Sequence, residues 1–439
     1  MAAADSQKRS IPSFDEYFDT IQARKRLPNG LQEALNKAFA KIPVSFFPEV
    51  PGGKVIEVSA DTSIVDAVQI LSENNIFSAP VRNANADDTI NWSNRYLGLV
   101  DYSAIILWVL ENAELAAVAL ATGSAAAAGM GVGAVSAIGA VALGATGPVA
   151  VAGLTIAAVG AAVAGGLAVN KGAGKDALTA ADYLGDDFYK VIFQEEPFKS
   201  TKVGTIIKSF RWMPFLPVQP NDSMLTVLLL LSKYHLRSVP VIEMDKPYVE
   251  NMITQSAVVR GLLQCKGRDW FDVITIKSVS DLGLPFMSPE EVISIDGNEQ
   301  VLEAFKLMRE KQIGGLPVVE GQTNKIIGNI SMRDIRFLLL NRELFPKFRQ
   351  LTVLDFLRTI VSTGSSVMMP PVTCKYDTRL ADLIEVLAEK CIHRIYLVNG
   401  QDELLGVITL RDVISCFVSE PENHFENYFG CFLIDSMSD

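Results

Sequence analysis

Twice in this chain a short apolar run ends in a hydroxyl residue followed three positions later by an aspartate. The two stretches are Gly328-Asn329-Ile330-Ser331-Met332-Arg333-Asp334 and Gly406-Val407-Ile408-Thr409-Leu410-Arg411-Asp412. Set where a strand turns into a helix, this spacing gathers a hydroxyl, backbone donors of a helix start and a carboxylate. Two chemistries are open to it. The aspartate can cap its helix, or the carboxylate can accept hydrogen bonds from two adjacent hydroxyls of a sugar. Arg333 and Arg411 each precede the acid and offer either an ion pair at the helix start or a cation for a ligand. His393-Arg394, just before Ile395-Tyr396-Leu397, adds a planar donor fork suited to phosphate and an imidazole of tunable charge. The alternative there is a solvated charge beside a packed ring.

Two other turns carry only part of the pattern. Near Tyr96, Asp101 replaces the hydroxyl residue and Ala104 holds the acid position; near Glu250, Thr254 is kept and Ala257 replaces the acid. Ahead of the matching prolines stand Phe77-Ser78 and Arg237-Ser238, so the first turn has no cation. Hydrogen bonds to charged groups contribute roughly 1.5–3 kcal/mol each, so losing two weakens binding on the order of 10²–10⁴-fold. Asp334 and Asp412 are therefore expected to mark the competent sites, with Arg237, Ser238 and Thr254 forming at most a weak one.

A repeat must position these turns. Apolar residues fall at i, i+3, i+4 and i+7 in Ile64, Ala67, Val68, Leu71; in Met224, Val227, Leu228, Leu231; in Val301, Ala304, Phe305, Met308; and in Leu380, Leu383, Ile384, Leu387. Capping residues precede three of these helices: Asp61-Thr62-Ser63, Asn221-Asp222-Ser223 and Asp377-Thr378. A short apolar strand follows each, and the proline of Ala79-Pro80-Val81, Val239-Pro240-Val241 and Leu316-Pro317-Val318 points to a strand end or edge. Thr254, Ser331 and Thr409 are 77 and 78 residues apart, whereas Asp101 and Thr254 are 153 apart. An insertion of about one repeat length therefore separates the first two units.

The strand–helix–strand–strand–helix unit resembles the CBS motif. With IPVSFFP from Ile42, FRWMPFLPV from Phe210, LLLLSKY from Leu228, FKLMREKQIGGLPVVE from Phe305 and HRIYLV from His393, the chain resembles plant-type γ regulatory subunits of sucrose-nonfermenting-related / AMP-activated protein kinases. The likeness covers nearly everything from Ile42 to Tyr428 outside the insertion. It implies an α/β (α+β) fold of four CBS repeats (β-α-β-β-α) arranged as two paired modules with ligand clefts between partners. The repeats are expected at 41–112, 186–284, 285–360 and 361–439, the last with a C-terminal tail, and the insertion at 113–185. By the same resemblance, Ser331 with Asp334 and Thr409 with Asp412 would hold ribose. His393 and Arg394 would meet phosphate, with Arg333 and Arg411 as further cations. AMP, ADP or ATP would be regulatory ligands, with no covalent cofactor. The implied partners are a catalytic α and a scaffold β kinase subunit, in the cytoplasm with the nucleus as a second compartment.

Residues 1–40 read as a polar tail followed by a short amphipathic helix (Leu31, Leu35, Ala38, Phe39) expected to dock on the first module. The 115–170 segment, opening at Leu115 and closing at Asn170, contains no Asp, Glu, Lys, Arg or His. It reads as a loose loop in preference to a membrane hairpin or a partner-binding helix pair, because Ala and Gly bury little apolar area. Across 439 residues a net charge of -11 argues against nucleic acid as a partner. Five cysteines without a C-x-x-C pair and only three histidines give no metal site at familiar spacing, and read as reduced thiols. Without a Walker loop, kinase signature or nucleophile elbow, catalysis is not expected. The alternative to a kinase subunit is a membrane-associated or free-standing CBS sensor or scaffold.

Overall fold

The computed structural model describes residues 17–84, 92–105, 201–209, 215–340 apart from 235, 244, 245 and 247, 351–362, and 370–428 apart from 427. The 115–170 segment lies outside the described residues, so none of its three readings is met by the structure.

The chain opens with helices α1 (Tyr17–Arg24) and α2 (Asn29–Ala40). The first repeat follows as β1 (Val58–Ser59), α3 (Ile64–Glu73), β2 (Ser78–Arg82) and β3 (Tyr96–Asp101), and after the insertion comes α4 (Val203–Ser209). The second repeat is α5 (Met224–Lys233), β4 (Ser238–Val241), β5 (Asn251–Thr254) and α6 (Gln255–Leu263), followed by α7 (Asp269–Thr275) and α8 (Val279–Leu282). The third is β6 (Ile295–Asp296), α9 (Val301–Glu310), β7 (Gly315–Glu320), β8 (Lys325–Ser331) and α10 (Ile335–Leu340), then α11 (Val353–Ser362). The fourth is β9 (Thr373–Cys374), α12 (Leu380–Glu389), β10 (Arg394–Val398), β11 (Leu404–Thr409) and α13 (Leu410–Phe417).

All four apolar stripes form their helices and face a core: every residue named above for them is buried. Ser63 and Ser223 cap α3 and α5, their hydroxyls accepting from Asp66 N at 3.1 Å and Thr226 N at 3.3 Å. Before α12 the capping position falls on Arg379 instead, without a side-chain cap, because the Thr378 hydroxyl accepts from Lys375 N at 3.0 Å. In the first, third and fourth repeats the sheet pairs a two-residue strand in parallel with a middle strand that also pairs antiparallel with the last. The prolines do not end their strands as expected. Pro80, Pro240 and Pro317 sit inside β2, β4 and β7, and the short strands β1 and β6 pair only with residues after the proline, so no ladder bond is lost there.

Two compact units form, one from Met1–Val55, Leu216–Val292 and Val372–Asp439, the other from Ile56–Phe215 and Ile293–Pro371. Second and fourth repeats thus share a core with α1 and α2, and first and third repeats share another. Helix α2 buries Leu35 and Phe39 in the former, with Phe39 edge-on to Trp270 and Phe417, so the amphipathic segment docks on the second and fourth repeats.

The segment completing each repeat's helix edge comes from elsewhere in the chain. Ile42 O and Asp222 O accept from Met224 N and Val44 N at 2.8 Å each, so the stretch ahead of the first repeat closes the second. In the other unit Thr62 O accepts from Val203 N at 2.9 Å, so α4, assigned from sequence to 186–284, closes the first repeat. The same exchange recurs: Thr378 O accepts from Val279 N at 2.8 Å, and Glu299 O from Val353 N at 2.9 Å. Residues 277–284, also within the 186–284 boundary, therefore belong by contact to the fourth repeat.

Candidate functional site

Both hydroxyl–acid turns close as reciprocal capping boxes. Ser331 donates from N and Oγ to Asp334 Oδ2 at 2.7 and 2.9 Å. Thr409 donates from N and Oγ1 to Asp412 Oδ2 at 2.8 and 2.7 Å, and its hydroxyl accepts from Asp412 N at 3.3 Å. Capping, one of the two chemistries open to this spacing, is realised in both, and it engages Oδ2. The second oxygen, Oδ1, of Asp412 is buried and meets no hydrogen-bond partner among the described residues. Burial raises the Asp412 pKa, while the Thr409 hydrogen bonds and the adjacent Arg411 pull it down. Asp334 is half-buried, Asp412 wholly buried.

The two partial turns hold their helices from one side. Asp101 itself caps, accepting from Ala104 N and Ser103 Oγ at 3.0 Å each. Thr254 Oγ1 accepts from Ala257 N at 3.1 Å, with no acid to reciprocate.

Strand register sets out the remaining residues. Opposite the cap position stand Ser78, Ser238, Gly315 and Arg394, facing Asp101, Thr254, Ser331 and Thr409 respectively. Of these four positions, the fourth repeat's alone carries a cation. His393 Nε2 lies 3.2 Å from Ser256 Oγ on α6, so the fourth repeat's imidazole meets the second repeat just beyond Thr254. The Arg237 carbonyl accepts from Gln255 N at 3.1 Å, which fixes that residue at the same strand–helix turn.

Arg411 is engaged within the fold. Its Nε donates to the Ser232 carbonyl at 2.7 Å, closing a backbone acceptor at the end of α5, and its guanidinium packs over the Tyr17 ring at 5.3 Å. The side chain is buried. Arg333, by contrast, donates through Nη2 to Asn75 Oδ1 of the first repeat.

Three side chains near these turns carried no signal in the sequence. Tyr17 stands in what reads as a polar tail, yet burial and the neighbouring Asp412 charge push its phenol above the usual tyrosine range. Ser256 is two residues past Thr254 and gains meaning through His393. Tyr102 follows Asp101 directly and lies beside Arg336 and Arg333.

Among the described residues no group of three or more His, Cys, Asp or Glu side chains could hold a metal ion, and no helix is long and apolar enough to cross a membrane. Burial pushes the thiols of Cys374 and Cys416 up to about 12.

The CBS domain model matches residues 279–341 and 365–419, which take in the third and fourth repeats and leave α11 between the two matches. The SNF1-related protein kinase regulatory subunit gamma-1-like protein of Arabidopsis thaliana is 62% identical over 426 residues, covering 96% of this chain and 95% of the relative. The regulatory subunit gamma-1 of the same plant is 37% identical over 406 residues, 90% of this chain and 86% of its own. A solved Methanocaldococcus jannaschii structure, described as a candidate archaeal homologue of γ-AMPK, aligns with a TM-score of 0.50 at 16% identity over 84% of this chain and 98% of its own, a likeness of fold. With four repeats built alike, capping boxes in the third and fourth and near end-to-end identity to a named subunit, this chain belongs to the γ regulatory-subunit family of SNF1-related protein kinases, non-catalytic proteins made of CBS repeats.

Proposed function

We propose that this chain is the γ-type subunit of a heterotrimeric serine/threonine kinase, joined to a catalytic α and a scaffold β subunit, and that it takes AMP, ADP or ATP at its hydroxyl–acid turns. The observation that carries the reading is the 62% identity running through almost the full length of both chains. The ribose is assigned to Ser331 and Asp334, where the acid is half-exposed at a strand–helix turn. Thr409 and Asp412 form the matching turn, with His393 and Arg394 on the phosphate side. Here nucleotide entry requires Tyr17 and Arg411 to move off the buried acid. Arg237, Ser238 and Thr254 serve as structure, since no acid completes their turn. The cytoplasm, and the nucleus with it, is the assigned location, in keeping with scattered cysteines that include two buried high-pKa thiols.

Purification of the tagged full-length chain from its native cells, with mass spectrometry of stoichiometric partners, tests the assembly. Recovery of kinase α and β subunits is expected. Recovery of membrane proteins in their place, dependent on detergent, would overturn the reading in favour of a membrane-associated CBS sensor.

A further inference from the structure

One short turn in the unit formed by the second and fourth repeats is set apart by its sequence. Of the 20 prolines in the chain, one alone follows a serine or threonine: Pro289, in Met287-Ser288-Pro289-Glu290-Glu291. No Lys or Arg lies within ten residues of Ser288 on either side, where the charges are Asp281, Glu290, Glu291 and Asp296. A serine in this setting is a phosphoacceptor of a definite kind. Acidic neighbours repel a kinase whose groove is built to read basic residues, and the proline offers no N–H, so the enzyme must accept a tertiary amide just after the serine.

The fold holds this turn in place and leaves it facing outward. Phe286 is fully buried, and Pro285 packs so closely on β11 that a Cβ on Gly406 would clash with it. Ser288 is extended (φ -77°, ψ 161°) and half-buried, while Pro289, Glu290 and Glu291 are exposed. Ser288 N donates to Glu291 Oε2 at 2.5 Å, and Glu291 N donates to the Ser288 carbonyl at 3.0 Å. Arg24, the last residue of α1, donates through Nη1 to the Phe286 carbonyl and to Glu291 Oε2 at 2.7 Å each, and through Nη2 to Glu291 Oε1 at 3.2 Å. The guanidinium pulls the Glu291 carboxyl down to about 2, so the acid is ionised at neutral pH. An ion pair reaching from α1 thus closes on the residue three positions after the serine.

We propose that Ser288 is a phosphorylation site for a proline-directed serine/threonine kinase, and that the phosphoserine draws Arg24 away from Glu291. In the transfer, Ser288 Oγ attacks the γ-phosphorus of ATP while the bond from that phosphorus to the ADP oxygen breaks. The hydroxyl proton passes to the kinase's base, and the products are phosphoserine and ADP. The added dianion repels the Glu291 carboxylate on the same turn and competes with it for a guanidinium suited to two-point phosphate contact. Because Arg24 ends the helix that begins at Tyr17, the modification bears on how α1 is held. The site does not depend on nucleotide binding.

Labelling of the folded full-length chain by a cyclin-dependent kinase with ATP, read by peptide mass spectrometry, tests the site in the wild type, Ser288→Ala and Pro289→Ala. The wild type should take up phosphate on the peptide that holds Ser288. Ser288→Ala should lose that label, and Pro289→Ala should slow its uptake at least about tenfold. A folded wild type that takes up no phosphate at Ser288 overturns the site, even where the heat-denatured chain is labelled there, because the turn is then closed to a kinase. Uptake by Pro289→Ala at the wild-type rate overturns the proline-directed assignment. Melting of the phosphorylated and unphosphorylated chains tests the exchange of Arg24. Phosphorylation should lower the melting temperature about 2–4 °C further in Arg24→Gln than in the wild type, since no guanidinium then meets the phosphate. Equal shifts would overturn the exchange. Should Arg24→Gln fold poorly, Glu291→Gln is read in its place. With the repelling carboxylate gone, phosphorylation should lower its melting temperature less than the wild type's, and an equal fall would overturn the exchange.

Discussion

The turn ending at Asp334 and the turn ending at Asp412 are nearly the same object locally, and they differ in what lies over them. Both close a box of hydroxyl, backbone N–H and carboxylate within 2.7–2.9 Å. Around Asp412, α1 brings Tyr17 against Arg411, and Arg411 closes the end of α5, so the acid is 1% exposed with one oxygen orphaned. Around Asp334 the acid remains half-exposed, and the arginine before it reaches across to the first repeat. The three-residue spacing builds the box, but contacts distant in sequence decide whether it is open.

The segments that close each repeat differ in tightness as well. A Cβ on Gly406 would meet Pro285 Cγ at 2.3 Å, whereas one on Gly328 would meet Leu357 Cδ1 at 3.2 Å. Gly406→Ala should therefore destabilise by about 2–3 kcal/mol as overpacking, against less than about 1 kcal/mol for Gly328→Ala, whose neighbour is a flexible side-chain end. Denaturant midpoints of the two variants measure the difference, and equal losses would show that both segments dock equally loosely.

Tyr17→Ala should remove about 1–2 kcal/mol of burial and cation–π contact and uncover Asp412. We expect a lower denaturant midpoint together with a second AMP-binding event. A stability loss with unchanged stoichiometry would mean that Tyr17 only packs.

Asp412→Asn should raise stability at neutral pH, because burial raises the folded carboxyl's pKa above its unfolded value. With that sign the folded state holds the extra proton, so stability falls as pH climbs from about 4 through the folded pKa, and the amide variant should lack this fall. Urea midpoints between about pH 4 and about pH 8 report it. Identical pH profiles for the two proteins would remove Asp412 as the cause.

A further pH effect sits at Lys25, whose ammonium donates to the Ser415 and Val418 carbonyls at 3.2 and 2.8 Å and whose pKa burial pulls down to about 8 from 10.5. The unfolded chain then binds more protons between those values, so stability should rise with pH across that window. Lys25→Met should abolish the rise; a rise that persists would place its origin elsewhere.

Much of this was legible because it is local. Helical stripes such as Val301, Ala304, Phe305 and Met308 need only a 3.6-residue period to declare a buried face, and Ser331–Asp334 needs only the reach of one turn. The exchange of α4 onto the first repeat was not legible, since backbone bonds such as Val203 N to Thr62 O carry no side-chain signature. Nor was the cover over Asp412: Tyr17 lies in a polar stretch whose sequence gives no reason to place it beside a helix nearly the whole chain away. Arg411 and Arg333 occupy equivalent positions and read alike, yet one donates to a backbone carbonyl within its own unit's helices and the other to an amide of a neighbouring repeat.

The most direct test is calorimetric titration of AMP into full-length Asp334→Asn and Asp412→Asn beside the wild type. One binding event is expected in the wild type, weakened at least about tenfold by Asp334→Asn and unchanged by Asp412→Asn. Binding lost in Asp412→Asn and kept in Asp334→Asn would contradict the assignment of the open site to the third repeat.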